Sequence, residues 1–406
     1  MEETNINNPH YLMIANKLRV ARLAVFAALM VLVVCSVAML RDEITVENLR
    51  YLFKYVDVRA PEISGSQKQI YYRANTSSRF AMLRNDLAVL NDSGYEVYSF
   101  SGRKIMSANI KYPSPAIETN GKFSLCYDVG GSELSVYNAL SCLYEHNFEY
   151  GIYGAHLNNG GAFAVITAEK NYTSGIEVYS KRYSKVFRWM SPDKHVMSVF
   201  LADNDKTVAC ASVISQNGKF ITEFFTFDLS DGSQKINCAF EDEFPYKVSY
   251  QNGVYLLITD KAVHFINNKG QQKAEFSYPR NSLESFHIGE KSIALSCKNS
   301  VLGNENIIKV VDFNGNLMYN KSYAEQVLSL DFDQTYFYVL RKGKLDIINY
   351  DIVDKKIFPS AQTDISIGAD IQYVFCAENG NYVLVSPEGA VKYSAQSFIS
   401  KMPQKS

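Results

Sequence analysis

The hydrophobic and polar positions divide this chain into one apolar run near the N-terminus and a long series of short alternating segments. The run from Leu23 to Leu40 contains no charge and no proline. As a helix rising about 1.5 Å per residue it would extend about 27 Å, close to the hydrocarbon thickness of a bilayer. The sequence therefore predicts one transmembrane helix over residues 23–40, with apolar side chains that include Leu23, Phe26, Leu29, Leu32 and Leu40.

A cleaved secretory signal and a buried core helix are the alternatives for this run. Secretory signals have apolar cores of about 7–15 residues, and a core helix would show a polar stripe, so both fit less well than a retained anchor. Lys17, Arg19 and Arg22 precede the run, whereas the opposite flank turns acidic after one arginine. By the positive-inside rule, residues 1–22 form a cytoplasmic lead, and the C-terminal domain lies outside the cytoplasmic membrane.

Residues 41–66 join this run to the rest of the chain. Leu49, Leu52, Phe53 and Val56 recur at helical spacing, which predicts a short juxtamembrane helix followed by a linker. This helix either docks on the following domain or lies at the membrane interface.

From residue 67 onwards one unit recurs about every 41 residues. Each unit contains an apolar strand, a turn rich in Gly, Asn, Asp or Ser, and a second strand, as expected for a β-hairpin. The hairpins are at residues 97–105, 136–144, 178–187, 225–236, 263–274, 310–319, 345–358 and 383–393.

A more continuously apolar segment precedes each hairpin, which is typical of a strand buried on both faces. These segments are residues 86–92, 122–128, 162–169, 207–214, 254–260, 292–298, 336–342 and 371–378. Each unit therefore consists of buried inner strands followed by a half-exposed outer hairpin.

Four strands in a repeat of this length predict an all-β fold of the β-propeller type over residues 67–395. Eight four-stranded blades account for the span, with seven as the alternative. Gln69–Tyr72 is expected to add a closing outer strand beside the last blade. A β-sandwich would require two domains and a linker, and a β-helix would require a shorter repeat. Residues 396–406 are a C-terminal tail.

Composition narrows the function. The chain has 41 basic and 42 acidic residues, so no excess of positive charge indicates nucleic acid as a partner. Six cysteines lie outside the apolar run, and none forms a C-x-x-C pair of the kind that binds metal. Four of them fall within the predicted buried strands, which favours free buried thiols over disulfides. The abundant tyrosine and phenylalanine are typical of β-sheet packing.

Catalytic motifs are missing from the sequence. There is no G-x-S-x-G, Walker loop, G-x-G-x-x-G or H-E-x-x-H motif, so we assign no catalytic, cofactor-binding or metal-binding residue. Propellers bind ligands mainly through the connections between blades and between their second and third strands. In this chain those connections carry a mixture of charge, tyrosine and proline. The candidate partner-binding residues are Tyr112, Asp193, Glu241, Asp242, Tyr278 and Arg280.

The segment Glu47-Asn48-Leu49-Arg50-Tyr51-Leu52 and the repeat resemble a group of uncharacterised bacterial single-pass proteins, mostly of Firmicutes type. Their propellers are PQQ-like or WD40-like in appearance. This resemblance implies the architecture and the membrane topology. The expected function is a non-enzymatic binding or scaffold module for an envelope protein, peptide or wall polymer, without a cofactor. An extracytoplasmic polysaccharide hydrolase or lyase is the alternative.

Overall fold

The computed structural model describes residues 9–39, 69–299, 305–354, 356–377 and 380–396. The chain divides into an N-terminal unit, Met1–Glu62, and a second unit, Ile63–Ser406. The juxtamembrane segment predicted for residues 41–66 lies outside the described residues, as does the tail beyond residue 396.

The described part of the N-terminal unit is one helix, α1 (Pro9–Met39). It begins at a proline, whose fixed φ suits the first position of a helix. Residues 9–22, predicted as part of a separate lead, therefore belong to the same helix as the apolar run. Leu23, Phe26, Leu29 and Leu32 are between 55% and 67% exposed.

Within the described residues, no helix is long and apolar enough to cross a membrane. The transmembrane helix predicted for residues 23–40 is therefore not confirmed, and Leu40 lies outside the described residues.

In the described part of the second unit, 32 strands form eight four-stranded antiparallel sheets, the blades of a β-propeller. Blade 1 consists of β2 (Arg79–Leu83), β3 (Asp86–Asn91), β4 (Gly94–Ser99) and β5 (Lys104–Ala108). Blade 2 consists of β6 (Pro115–Thr119), β7 (Ser124–Asp128), β8 (Glu133–Tyr137) and β9 (Cys142–Asn147). Blade 3 consists of β10 (Ile152–Leu157), β11 (Phe163–Glu169), β12 (Tyr172–Tyr179) and β13 (Lys185–Ser191). Blade 4 consists of β14 (His195–Leu201), β15 (Thr207–Gln216), β16 (Lys219–Asp228) and β17 (Gln234–Glu241).

The remaining blades follow the same order. Blade 5 consists of β18 (Pro245–Gln251), β19 (Val254–Thr259), β20 (Ala262–Asn267) and β21 (Gln272–Ser277). Blade 6 consists of β22 (Leu283–Ile288), β23 (Ser292–Lys298), β24 (Asn306–Asp312) and β25 (Leu317–Tyr323). Blade 7 consists of β26 (Val327–Phe332), β27 (Tyr336–Arg341), β28 (Lys344–Val353) and β29 (Lys356–Ser366). Blade 8 consists of β30 (Tyr373–Ala377), β31 (Asn381–Ser386), β32 (Gly389–Ser394) and β1 (Gln69–Tyr71).

The ring closes through β1, which pairs antiparallel with β32 and places Ile70 opposite Ala390. This confirms eight blades and the closing strand. It also corrects the assignment of the last repeat, because blade 8 takes its outer strand from the N-terminal end. Residues 371–378 therefore contain its first strand, and residues 383–393 form its second and third strands.

The burial pattern explains the repeat. All six residues of β19, a second strand, are buried, whereas the outer strand β29 alternates between exposed and half-buried positions. Neighbouring blades cover each other's faces, as where Ile176 and Val178 of blade 3 share a core with Val208 and Phe225 of blade 4. A sheet of this kind is stable because both of its apolar faces are covered.

The connections define two faces of the ring. Strands alternate in direction, so the links between blades emerge on the same face as the turns between second and third strands. We call this the upper face and the opposite one the lower face. The first strands of successive blades contact one another, as β6, β10, β14 and β18 do, and surround a central channel.

We predict that Gly389→Ala weakens ring closure. A Cβ at this position would clash with the Ile70 carbonyl oxygen, so β1 would have to shift. Overpacking of this kind costs about 1–3 kcal/mol, measured as a loss of unfolding free energy in denaturant. Gly154→Ala is the matched control, because its Cβ would meet only the end of the Ile166 side chain at 3.4 Å. Equal stability of the two variants would contradict the prediction.

Candidate functional site

The six predicted partner-binding residues lie at or beside the upper face, but two of them point into the protein. Tyr112 is 1% exposed, and its hydroxyl is 2.8 Å from the Ser135 hydroxyl. Tyr278 is 6% exposed and donates to the carbonyl oxygens of Thr259 and Ala262. Burial raises the pKa of both phenols. These tyrosines hold the connections in place, and their burial leaves little of either side chain exposed for contact with a partner.

Asp242 and Arg280 come together in an ion network between blades 4, 5 and 6. The Arg280 guanidinium lies 3.1 Å from the Asp242 carboxylate and 2.8 Å from that of Asp260. Lys261 reaches the same Asp242 carboxylate at 2.7 Å. Hydrogen bonds from Lys261 and Arg280 lower the pKa of Asp242. The network neutralises itself, which leaves little unpaired charge for a ligand.

Asp193 and Glu241 do not join this network. Asp193 accepts a hydrogen bond from the Ser191 hydroxyl at 2.7 Å, and Glu241 is 3.7 Å from Lys219. Both are exposed. The six predicted residues therefore share one face of the ring, but the fold keeps Asp193 and Glu241 apart from the Asp242–Arg280 network.

The feature that sequence reasoning missed is a series of β-bulges at the upper mouth of the channel. The first strands of five consecutive blades, 3 to 7, shift register near their start, at the third residue in blade 4 and at the second residue in the other four. All five bulged residues are exposed. We call them the collar: Tyr153, Met197, Tyr246, Glu284 and Leu328. A bulge re-aims a side chain at a cost in strand pairing, so five at one position indicate a common use.

Four collar residues are apolar or aromatic. Tyr153 is 55% exposed, Met197 42%, Tyr246 40% and Leu328 38%. Glu284 is the exception, because its carboxylate is 2.9 Å from Lys298 and accepts a hydrogen bond from Asn306. Tyrosine and methionine are enriched at protein interfaces.

Aromatic residues extend the collar at two points. Phe244 is 37% exposed and its ring centroid is 6.4 Å from that of Tyr246. In blade 8, Tyr373 is the first residue of β30, and its ring centroid is 5.6 Å from that of Phe80 in blade 1. The upper mouth therefore has apolar or aromatic contact positions around most of its circumference.

An ion pair crosses the channel below the collar. Lys247 Nζ is 2.8 Å from Glu118 Oε1, and these residues belong to first strands of blades 5 and 2, which are not neighbours. We call this pair the floor. Its side chains are 31% and 29% exposed. A pair of this kind contributes about 0–1 kcal/mol to stability, so it is not needed to hold the ring together.

His156 of blade 3 lies beside the floor. Its Nδ1 accepts a hydrogen bond from the Leu201 backbone N–H at 3.0 Å, so the imidazole is neutral. Burial, with a smaller effect of the nearby Lys247 ammonium, lowers the pKa of His156 to about 3. Lys247, Glu118 and His156 therefore place one neutralised ion pair and one uncharged imidazole on the first strands of blades 5, 2 and 3.

A cavity of about 820 Å³ opens at the lower end of the channel, where the first strands of blades 5 to 8 end. Its lining includes His287, Lys291, Phe332, Tyr350 and Ile352. His287 Nε2 is 3.2 Å from the Asp331 carboxylate, which is buried and also accepts the Cys376 backbone N–H. No cluster of His, Cys, Asp or Glu among the described residues has the arrangement of a metal site.

One sequence signal for the collar exists in retrospect. In four of the five bulged strands the residue after the bulge is Gly or Ser, as in Tyr153-Gly154 and Leu328-Ser329. The first strands directly follow the inter-blade segments, and no sequence feature marks where they begin. The repeated Gly or Ser is therefore hard to recognise from the sequence alone.

We predict that His156 stays neutral from pH 7 down to nearly pH 3 and that Lys247→Met raises its pKa, which remains below 6.5 because burial persists. The unfolded chain binds this proton near pH 6.5, so acidification between these values destabilises the fold. NMR titration of the imidazole measures the first effect. His156→Asn keeps an acceptor for Leu201 and should reduce the loss of stability on acidification. An unchanged pH dependence would contradict the assignment.

Comparison with known proteins supports the fold and identifies the family. The WD40 domain of Sif2 matches with a TM-score of 0.56 at 10% identity, over 81% of this chain and 99% of that one. Sqt1 of Chaetomium thermophilum, solved bound to the N-terminus of ribosomal protein L10, gives 0.55 at 12%, over 81% and 100%. BamB from Moraxella catarrhalis gives 0.51 at 11%, over 81% and 97%. These identities establish a shared fold alone.

A search of curated proteins finds no match. The sequence profile of a family of unknown function, DUF5711, matches residues 63–393, which contain every blade. The chain therefore belongs to the DUF5711 family.

Proposed function

We propose that this protein is a non-enzymatic binding or scaffold module whose propeller binds a protein segment or peptide at the upper mouth of the channel. The collar carries this proposal, because five register shifts at one position expose four apolar or aromatic side chains around a single opening. Exposed apolar residues grouped around one opening are a feature of interaction sites.

The fold supports a binding role. The Sqt1 propeller was solved with the N-terminus of another protein bound to it. BamB shares the same propeller fold. The present chain offers a rigid ring, and its collar lies on first strands that neighbouring blades hold in place. Preorganised contacts of this type lower the entropic cost of binding.

The ion pairs on the first strands support binding over catalysis. Glu118, Glu284 and Asp331 face Lys247, Lys298 and His287 respectively. A glycoside hydrolase or lyase usually places two carboxylates around the bond that breaks, one of them able to carry a proton.

We further propose that the N-terminal segment anchors the protein in the cytoplasmic membrane with the propeller outside, where it would meet an envelope protein, peptide or wall polymer. This location is based on the apolar run from Leu23 to Leu40 and on the cationic residues before it.

A photoreactive benzoylphenylalanine at Tyr246 is expected to crosslink the full chain to one partner, whereas the same group at Val186, which is 51% exposed on an outer strand, is not. Leu328→Asp should reduce the crosslink roughly tenfold or more, since loss of a central apolar contact is typical of a hot spot. Crosslinks of equal yield at Tyr246 and Val186, or yields unaffected by Leu328→Asp, would refute the proposed site.

The full chain is expected to float with liposomes in a density gradient and to resist carbonate extraction. Leu29→Arg combined with Leu32→Arg should abolish both properties, because each arginine costs about 2.5–3.5 kcal/mol at the centre of a membrane helix. The same positions changed to methionine serve as the control. Recovery of the unmodified chain in the soluble fraction would reject the anchor.

A further inference from the structure

We propose that the floor makes the upper mouth specific for an uncharged apolar side chain of the partner and excludes a charged one. This inference rests on the proposed function and names the chemistry of the part of the partner that enters the mouth. Lys247 and Glu118 are its specificity-determining residues.

The first argument is the path of the channel. The Lys247–Glu118 pair links first strands of blades 5 and 2, so it crosses the opening between strands that do not contact each other as neighbours. A segment that enters from the upper face meets this pair after passing the collar. The floor therefore forms part of the surface that an inserted side chain or short turn would contact.

The second argument is charge. The two floor groups are 2.8 Å apart and cancel each other, and the neighbouring His156 imidazole is neutral because it accepts the Leu201 N–H. The collar's only carboxylate, that of Glu284, is paired with Lys298. A charged side chain that reaches the floor would lose water and find no unpaired opposite charge on Lys247, Glu118, His156 or Glu284. This cost discriminates against the wrong partner, whereas an apolar group finds Tyr153, Met197 and Leu328.

The third argument is that the Lys247–Glu118 pair is not needed for the stability of the ring. The pair is partly exposed and joins residues 129 positions apart in the sequence. The hydrophobic faces and the β1–β32 pairing close the ring without it. A role in selecting what enters the mouth accounts for a lysine and a glutamate placed across an opening that packing alone would leave uncharged.

The test uses three probes that share one phenol ring: neutral 4-ethylphenol, anionic 3-(4-hydroxyphenyl)propionate and cationic tyramine. Affinities are measured by ligand-observed NMR with the full chain at low salt. The wild-type protein should prefer 4-ethylphenol to both ions. Glu118→Gln leaves the Lys247 ammonium unpaired and should shift the preference towards the anion by about fivefold. Lys247→Met should shift it towards tyramine by a similar factor.

The double variant Glu118→Gln with Lys247→Met restores a neutral floor, so it should regain the wild-type order. Tyr246→Ser should weaken all three probes, which shows that they bind at the mouth. An identical order of affinities in the wild type and both single variants would overturn the inference, as would wild-type preference for an ion or probe binding that Tyr246→Ser leaves unchanged. Absence of probe binding to every protein would also overturn it.

The two proposals fail separately. Crosslinking from Tyr246 to a partner, together with probe affinities insensitive to the floor, would leave the binding function in place and remove the selectivity. Probe affinities that depend on the floor, without a crosslinked partner, would support the selectivity of the mouth and count against the proposed binding function.

Discussion

The structure depends on the burial of two apolar faces on every four-stranded sheet. A single sheet of this kind cannot cover itself, and a row of them would leave a bare face at each end. A closed ring leaves none, and the closing contact joins Val383 and Val385 of blade 8 to Leu87 and Val89 of blade 1. Three residues of β1 complete the outer edge of that contact. The channel, the two faces and the collar all follow from this closure.

Closure also places the candidate site. The hydrophobic cores lie between blades, so the first strands at the ring's centre have one edge without a β partner. Bulges are tolerated there because the register shifts affect only one neighbour, as between Pro245 and Lys247 on β18. The first strands that carry the collar pair with fully buried second strands such as β19. A binding surface on the first strands therefore combines exposure with rigidity.

The sequence was sufficient for the fold because its signals are local and repeated. The buried second strands, the hairpin turns and the Gln69–Tyr71 strand could all be recognised within a few residues. The site was harder to predict. Tyr112 and Tyr278 look like surface residues in proline-containing loops, yet their hydroxyls bond to groups 23 and 16–19 residues away. The Lys247–Glu118 pair joins positions separated by 129 residues, for which no local pattern exists.

The short closing strand has a mechanical consequence. In chain order β1 is the first described strand after the N-terminal unit, and it pairs with β32 through only three residue pairs. Tension applied through the N-terminal segment therefore reaches this seam before any other strand of the ring. If that segment is held, a pull on the propeller loads its smallest set of backbone bonds first. The ring would then open between β1 and β32 at a lower force than is needed to unfold the hairpins of blades 1 to 7.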